Sequence, residues 1–311
     1  MDISIIIVNW NTEALLRNCL KSVYDTMGSL QCEIIVVDNN SHDRSVSMVK
    51  EEFPDVVLIS NSENRGFAAA NNQGFAVMQG RYALLLNSDT VVISRAVHEL
   101  LSFMESNPDA GMAGGQLLNE DGSRQNSIAN FPTLLTMSTN LSLLEYLFPG
   151  TFPSKRYDHP DPIEIESAVG ACLMVRKEAM DTVGWFDEGY FFFFEETDWA
   201  HRMRLAGWRV YHVPAARVIH LQGQSIGHNV GSRIQFYRSR YRFLRKWHGP
   251  VYNGFMGAVI VGRLVVNWLF TLLATAATVF MNRSLRGKLA VYSRLILWHL
   301  KGCPDPGLPP S

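Results

Sequence analysis

Short apolar, β-branched runs alternate with stretches of helical period in the N-terminal part of the chain. Ile3-Ser4-Ile5-Ile6-Ile7-Val8 is nearly continuous in its hydrophobicity, as a strand buried on both faces requires. Leu15, Leu16, Cys19, Leu20 and Val23 then recur at helical spacing, with Asn11 and Thr12 placed to cap that helix. The pattern predicts a buried strand over 33–37 closed by Asp38, a helix over 46–53 and a strand over 56–59. A helix over 65–79 follows, then a strand over 82–86 ending at Asn87-Ser88-Asp89. This order implies an α/β fold with a mostly parallel sheet and helices on both faces. Residues 119–165, with five prolines, read as irregular, a length typical of lids and binding loops. Further on, 168–175 reads as a strand, 177–183 as a short helix and 209–212 as a strand. The aromatic run 190–194 leads into Glu195-Glu196-Thr197-Asp198, which opens a helix reaching 207.

The pattern changes near Gly231. Six basic residues between Arg233 and Lys246 are interleaved with Phe236, Tyr237, Tyr241, Phe243 and Leu244. Residues 254–281 hold one charge, Arg263, and 264–281 hold none. Arg283, Arg286 and Lys288 follow, then an amphipathic stretch over 289–300 and a Pro-rich tail.

Charge sharpens this division. The 311 residues sum to −1, yet 28 acidic and 12 basic residues lie up to Asp198, and 16 basic residues with Asp305 as the single acid lie beyond it. Such asymmetry points to nucleic acid or an anionic membrane surface as partner of the basic part. An apolar segment follows the basic stretch, which favours the membrane and disfavours nucleic acid; each Lys or Arg near an anionic leaflet contributes roughly 1 kcal/mol. The uncharged run reaches about 27 Å against a hydrocarbon core of about 30 Å, so spanning and lying in the interface both stay open. Burial in the soluble domain and self-association stay open as well. Basic residues flank both sides and give no orientation.

An apolar content of 47% supports a folded core. The four cysteines share no close spacing, so neither a zinc site nor a disulfide framework is expected, and a reducing compartment is. The first residues lack the basic region and cleavage site of a signal peptide.

In parallel α/β sheets ligands bind outside the carboxyl ends of the strands. Three of those ends carry polar clusters here: Asn9-Trp10-Asn11, Asp38-Asn39-Asn40-Ser41 and Asn87-Ser88-Asp89. Each alone suits a turn; together they mark a candidate site.

These clusters, with Asn64-Arg65-Gly66-Phe67-Ala68-Ala69-Ala70-Asn71-Asn72, Gly170-Ala171-Cys172-Leu173-Met174-Val175-Arg176, Gly184-Trp185-Phe186-Asp187-Glu188 and Glu195-Glu196-Thr197-Asp198-Trp199, resemble family 2 glycosyltransferases of the GT-A fold. Within that family the chain looks most like the bacterial rhamnosyltransferase-like branch. The resemblance covers about residues 1–245 and implies a catalytic domain over 1–230. Residues 1–118 form its nucleotide-sugar half and 119–230 its acceptor side, with a basic, apolar helical extension over 231–311.

The resemblance also implies roles. Asp38 accepts a hydrogen bond from a uracil or thymine imide; Val8, Trp10, Asn40, Arg65, Asn87 and Ser88 line the nucleotide-sugar site. The family's Asp-X-Asp metal motif reads Asn87-Ser88-Asp89 here, so the first acid is missing and Asp89 is the expected ligand of Mg²⁺ or Mn²⁺, with His220 as a second candidate. Such a cation neutralises a diphosphate leaving group. The general base is Glu196, with Glu195 as competitor, and Asp198 pairs with Arg202 one turn on. Arg238 and Arg240 are candidates for an acceptor diphosphate.

The expected activity is inverting, metal-dependent transfer of a sugar, rhamnose for choice, from a dTDP- or UDP-sugar to a polyprenyl-diphosphate-linked glycan acceptor. It would act at the cytoplasmic face of the inner membrane, attached through 231–300. The competing readings are an inactive, membrane-tethered sugar-nucleotide sensor and a sugar-phosphate nucleotidylyltransferase. The latter expects a Gly-rich basic loop that Asn9-Trp10-Asn11-Thr12 does not supply.

Overall fold

The computed structural model describes residues 1–153, 160–221 and 230–304. The Gln222-Gly223-Gln224-Ser225 stretch, His228 and the tail beyond Pro304 lie outside the described residues. The chain divides into two units, Met1–Phe131 with Glu145–Ile226, and Pro132–Leu144 with Gly227–Ser311.

In the first unit β1 (Ile3–Asn9), α1 (Glu13–Met27), β2 (Cys32–Asp38), α2 (Ser45–Glu52), β3 (Val57–Ser60), α3 (Gly66–Val77) and β4 (Tyr82–Asn87) follow the expected alternation. Burial on both faces explains the apolar runs. Ile3, Ile5 and Ile7 pack with Leu16, Cys19, Leu20 and Val23 of α1. Ile6 points the other way, among Ala68, Ala70 and Phe75 of α3. Thr12 precedes α1 but makes no side-chain cap; its hydroxyl donates to the Asn9 side chain instead.

Next come β5 (Thr90–Val92), α4 (Ala96–Ser106) and β6 (Ala110–Leu118). The stretch 119–165, expected to be irregular, carries β7 (Ile128–Ala129), α5 (Leu134–Ser138), α6 (Leu141–Leu147) and β8 (Ile163–Glu164). The expected strand over 168–175 is interrupted, as β9 (Ser167–Ala168) and β10 (Cys172–Arg176). After α7 (Lys177–Val183) and α8 (Glu195–Leu205), β11 runs from Arg209 to His220, far beyond the four residues expected, because a bulge between Val213 and Arg217 lets it continue through Pro214.

The sheet order is β3-β2-β1-β4-β10-β6-β11-β5, with β8 also on β11. Strands β1 to β4 are parallel to their neighbours in that group. Between β4 and β6, β10 is antiparallel to both, so the sheet is mixed. Register then sets the site: Asn9 lies level with Asp38, and Val8 with Asn87.

The second unit contains α9 (Val230–Trp247), α10 (Pro250–Ala277) and α11 (Arg283–Leu300), together with α5. Leu244, Met256, Ile260, Leu264 and Leu295 form its core with Met137. Among the described residues α10 is the one helix long and apolar enough, by length and composition, to cross a membrane.

Candidate active site

The three polar strand ends are tied by one hydrogen-bonded chain. Asn9 Nδ2 donates to Asp38 Oδ2 at 2.8 Å, and Ser41 Oγ donates to the same oxygen at 2.6 Å. The Ser41 amide donates to Asp38 Oδ1 at 2.9 Å, so the Asp side chain closes the turn after β2. On the other side of Asn9, the Thr12 hydroxyl donates to Asn9 Oδ1 at 2.6 Å and lies 2.9 Å from Ser88 Oγ. A hydroxyl has one proton to give, so Ser88 donates to Thr12. This chain joins the nucleotide-side acid to the loop carrying Asp89, and it uses Asn9, Thr12 and Ser41, which the sequence marked only as strand-end and cap residues with no role of their own. Asp38, 1% exposed, is oriented by three donors and keeps lone-pair capacity on Oδ1.

Neighbouring candidates follow from the same edge. Asn40 takes a left-handed backbone, φ 63°, which Asn tolerates better than most residues. Asn39 Nδ2 donates to the Gly66 carbonyl at 3.1 Å, bringing the exposed Arg65 beside the Asp38 loop. Gly66 is required there: its φ is +83°, and a Cβ would meet the Phe191 carbonyl at 2.5 Å. Val8, Trp10 and Asn87 are half-buried at the ends of β1 and β4.

Asp89 and His220 meet because β5 pairs antiparallel with β11, His220 opposite Thr90. Asp89 Oδ1 lies 3.4 Å from His220 Nε2; the two residues are 2% and 7% exposed. The far side of the imidazole is fixed by Gln125. Its Nε2 donates to the Asn119 side-chain oxygen and to the His220 carbonyl, so its Oε1, 3.0 Å from His220 Nδ1, is an acceptor. Nδ1 therefore carries the proton, and in the neutral ring Nε2 turns a lone pair toward a carboxylate oxygen. Two acceptors facing each other suit a cation between them. Among the described residues no group of three or more His, Cys, Asp or Glu could hold a metal; a cation held by Asp89 and His220 would take its remaining ligands from substrate phosphates and water.

The acidic pair opens α8. Phe193 and Phe194 before it both have positive φ, 67° and 69°, a strained backbone of the kind found at functional sites. The Phe67 amide donates to the Phe191 carbonyl at 2.7 Å, tying this aromatic turn to the start of α3. Glu196 packs beside Gly170, and the next residue, Ala171, accepts from the Asn87 amide at 3.1 Å. Glu196 therefore lies near the strand end that leads into Asp89. Oε2 of Glu195 and of Glu196 are buried without a hydrogen-bond partner among the described residues. Burial pushes the Glu196 carboxyl up to about 7. Glu195, 3% exposed, is pushed well above the carboxylate range by burial and then by the charge of Glu196. The more deeply buried acid holds its proton and can donate to its neighbour, which favours the ionised form of Glu196.

Asp198 has the structural role expected. It pairs with Arg202 at 3.0 Å, and Arg202 also donates to the carbonyls of Val183 and Trp185. Arg238 and Arg240 stand on α9 in the second unit. Arg238 donates to Gln235, and the Arg240 guanidinium lies over the Phe236 ring, 4.5 Å from its centre, where burial pushes it down to about 10.

The family description Glycosyl transferase family 2 matches residues 4–184. The N-acetylglucosaminyl-diphospho-decaprenol L-rhamnosyltransferase of Mycobacterium tuberculosis is 28% identical over 230 residues, 69% of this chain and 75% of that protein. The dTDP-rhamnosyl transferase RfbF of Shigella flexneri is 26% identical over 265 residues, 80% of this chain and 82% of its own. Among solved structures, the mannosyltransferase PcManGT of Pyrobaculum calidifontis in complex with GDP-Man and Mn²⁺ superposes with a TM-score of 0.59 at 17% identity, covering 98% of this chain and 87% of that one. The chain belongs to glycosyl transferase family 2 and is a sugar-transferring enzyme of the GT-A fold.

Proposed function

We propose that this enzyme moves rhamnose from dTDP-rhamnose onto a polyprenyl-diphosphate-linked glycan, inverting the anomeric centre. The observation that carries the reading is the gathering of Asp38, the Asp89–His220 pair and Glu196 at one sheet edge. The rhamnosyltransferase relatives and the decaprenyl-diphosphate acceptor in the name of one of them support the choice of donor and acceptor.

Asp38, held by Asn9 and Ser41, presents an acceptor to the imide N–H of the base. Ionised Glu196 takes the proton of the acceptor hydroxyl as its oxygen bonds to the anomeric carbon. The bond from that carbon to the diphosphate breaks in the same step, and one displacement inverts the centre. Asp89 and His220 would hold the divalent cation, which when bound offsets the charge of the departing nucleoside diphosphate. Glu195 keeps its proton and steadies Glu196. The charge division supports attachment to the cytoplasmic face of the membrane through the second unit, whose 12 basic residues stand against one acid.

Thermal shift with UDP-, dTDP- and GDP-sugars, with and without Mn²⁺, tests the donor; dTDP-rhamnose with Mn²⁺ should give the largest increase in Tm. No response to any nucleotide would sink the reading. A second test concerns Gln125. Gln125→Leu removes the acceptor that fixes the His220 tautomer and should weaken Mn²⁺ binding by about 10-fold or more. Titration followed by electron paramagnetic resonance of free Mn²⁺ reads this directly, and metal-free dTDP affinity should not move.

A further inference from the structure

We propose that the second unit rests on an anionic phospholipid bilayer as an in-plane helical hairpin, with the outer face of α10 among the acyl chains and the bases of α11 at the headgroups, so that α10 does not cross the membrane. This rests on the membrane reading above and supplies its geometry.

One side of α10 is committed to protein. Met256, Ile260 and Leu264, spaced by four, are buried with Leu244 of α9, Leu295 of α11 and Met137 of α5. The other side is exposed and apolar through Val251, Phe255, Val265, Val266, Leu269, Phe270 and Leu273. The exposed surface continues into the turn as Val279, Phe280 and Met281. A continuous apolar face of this extent marks a surface that is covered in use.

Crossing the bilayer conflicts with two contacts. Arg263, near the middle of α10, donates to the carbonyls of Met137 at 2.9 Å and Thr139 at 3.2 Å, at the C-terminal end of α5. A centred spanning α10 would carry that guanidinium and a helix end to the depth of the hydrocarbon, where lipid-exposed irregular backbone is not tolerated. Sliding the helix so that only 264–281 cross leaves about 27 Å of apolar length, short of the core. It also draws α11 into the same slab. Trp268 Nε1 donates to Ser293 Oγ at 2.9 Å, so the exposed Arg294 lies level with Trp268, and Arg283, Arg286 and Lys288 would have to pass to the far side.

An in-plane hairpin removes both conflicts. Arg283, Arg286, Lys288, Arg294 and Lys301 are all exposed on or beside α11 and can reach headgroups. The unit carries a net +11, with Asp305 its single acid. That charge complements an anionic leaflet and opposes a second copy of the same unit as the cover.

The test uses the full chain, freed of detergent and mixed with preformed vesicles of phosphatidylcholine alone or with 30% phosphatidylglycerol added, in about 0.1 M salt. Flotation should recover at least tenfold more protein with the anionic vesicles. In a Cys32→Ser, Cys303→Ser background, Arg283→Cys on the floated protein should react with an impermeant maleimide to the same extent before and after detergent. Protection until detergent is added would mean that the turn has crossed, overturning the in-plane geometry while leaving membrane attachment standing. Failure to float with either vesicle would remove the membrane reading itself. Phe270→Asp with Leu273→Asp should lower flotation at least tenfold with an unchanged circular-dichroism melt. If the wild type is instead a dimer by light scattering that this double variant makes monomeric, and it does not float, a second copy covers the face.

Discussion

Glu196→Gln should lower the rate of sugar transfer by about 10²–10⁴-fold, with affinity for the nucleotide sugar within a factor of a few of the parent. Glutamine keeps the shape of the side chain beside Gly170 but carries no charge and cannot take up the acceptor's proton. Single-turnover rates with isothermal titration of the donor separate the two effects. A variant that retained full turnover would remove Glu196 as the base.

The pH dependence carries a sign that can be checked on the same protein. Burial lifts the Glu196 carboxyl from its ordinary 4.5 to about 7, so the parent's rate should rise with pH through about 7 as the carboxylate forms. Stability should move the opposite way. Between these two values the folded chain keeps a proton that the unfolded chain has released, so stability falls as pH rises through that window. Glu196→Gln should therefore be more stable than the parent at pH 8, on the order of 1–3 kcal/mol, read from urea midpoints. Loss of rate with gain of stability is the signature of a functional carboxyl held in an unfavourable place.

Asp89→Asn should produce the second large loss, at least about 10²-fold in transfer at saturating Mn²⁺, together with loss of measurable Mn²⁺ binding in the absence of nucleotide. The local backbone should survive. The Asp89 carbonyl still accepts from the Leu221 amide at 2.9 Å, and the Thr90 hydroxyl still donates to the Asn87 carbonyl at 2.7 Å. The change removes the carboxylate facing His220, leaving one protein donor for a cation. Electron paramagnetic resonance reads the binding arm without turnover. Unchanged Mn²⁺ affinity in Asp89→Asn would remove the pair from the metal's coordination.

How far the sequence revealed the fold depended on what each strand packs against. β1, β2 and β4 are buried on both faces by side chains of their own, so their apolar runs announce them. β6 is just as buried, yet its Ala110–Leu118 sequence is glycine-rich and gave no prediction. The reason is close approach: a Cβ at Gly114 would stand 2.6 Å from Ala168 Cβ, and one at Gly115 2.6 Å from the Ala216 carbonyl. A buried strand whose neighbours press on it loses the hydrophobic signature by which strands are recognised. The interior of β11 was hidden differently, by Pro214 and Arg217 at a bulge.

The candidate acids were visible in the sequence because they end a strand or begin a helix: Asp38 and Asp89 after apolar runs, Glu195 and Glu196 after an aromatic run. Local pattern placed these acids and the family resemblance gave them their expected roles; pattern alone determined the parallel N-terminal sheet, the break in character near Gly231 and the separation of charge. Asn9, Thr12 and Gln125 carried no such signal, since a polar residue beside a turn has an ordinary explanation; an amide closing the β1 run was the one hint. Only the tertiary structure decided that His220 stands across from Asp89, that Gln125 accepts from its ring, that burial raises the carboxyls of Glu195 and Glu196, and that Arg263 is bound to the end of α5. The pairings depend on groups far apart in the chain being brought within a few ångströms, and the shifted carboxyls on being withdrawn from water. Pattern along a sequence reports which residues seek burial or a turn; distance, desolvation and shared protons exist only once the chain has closed on itself.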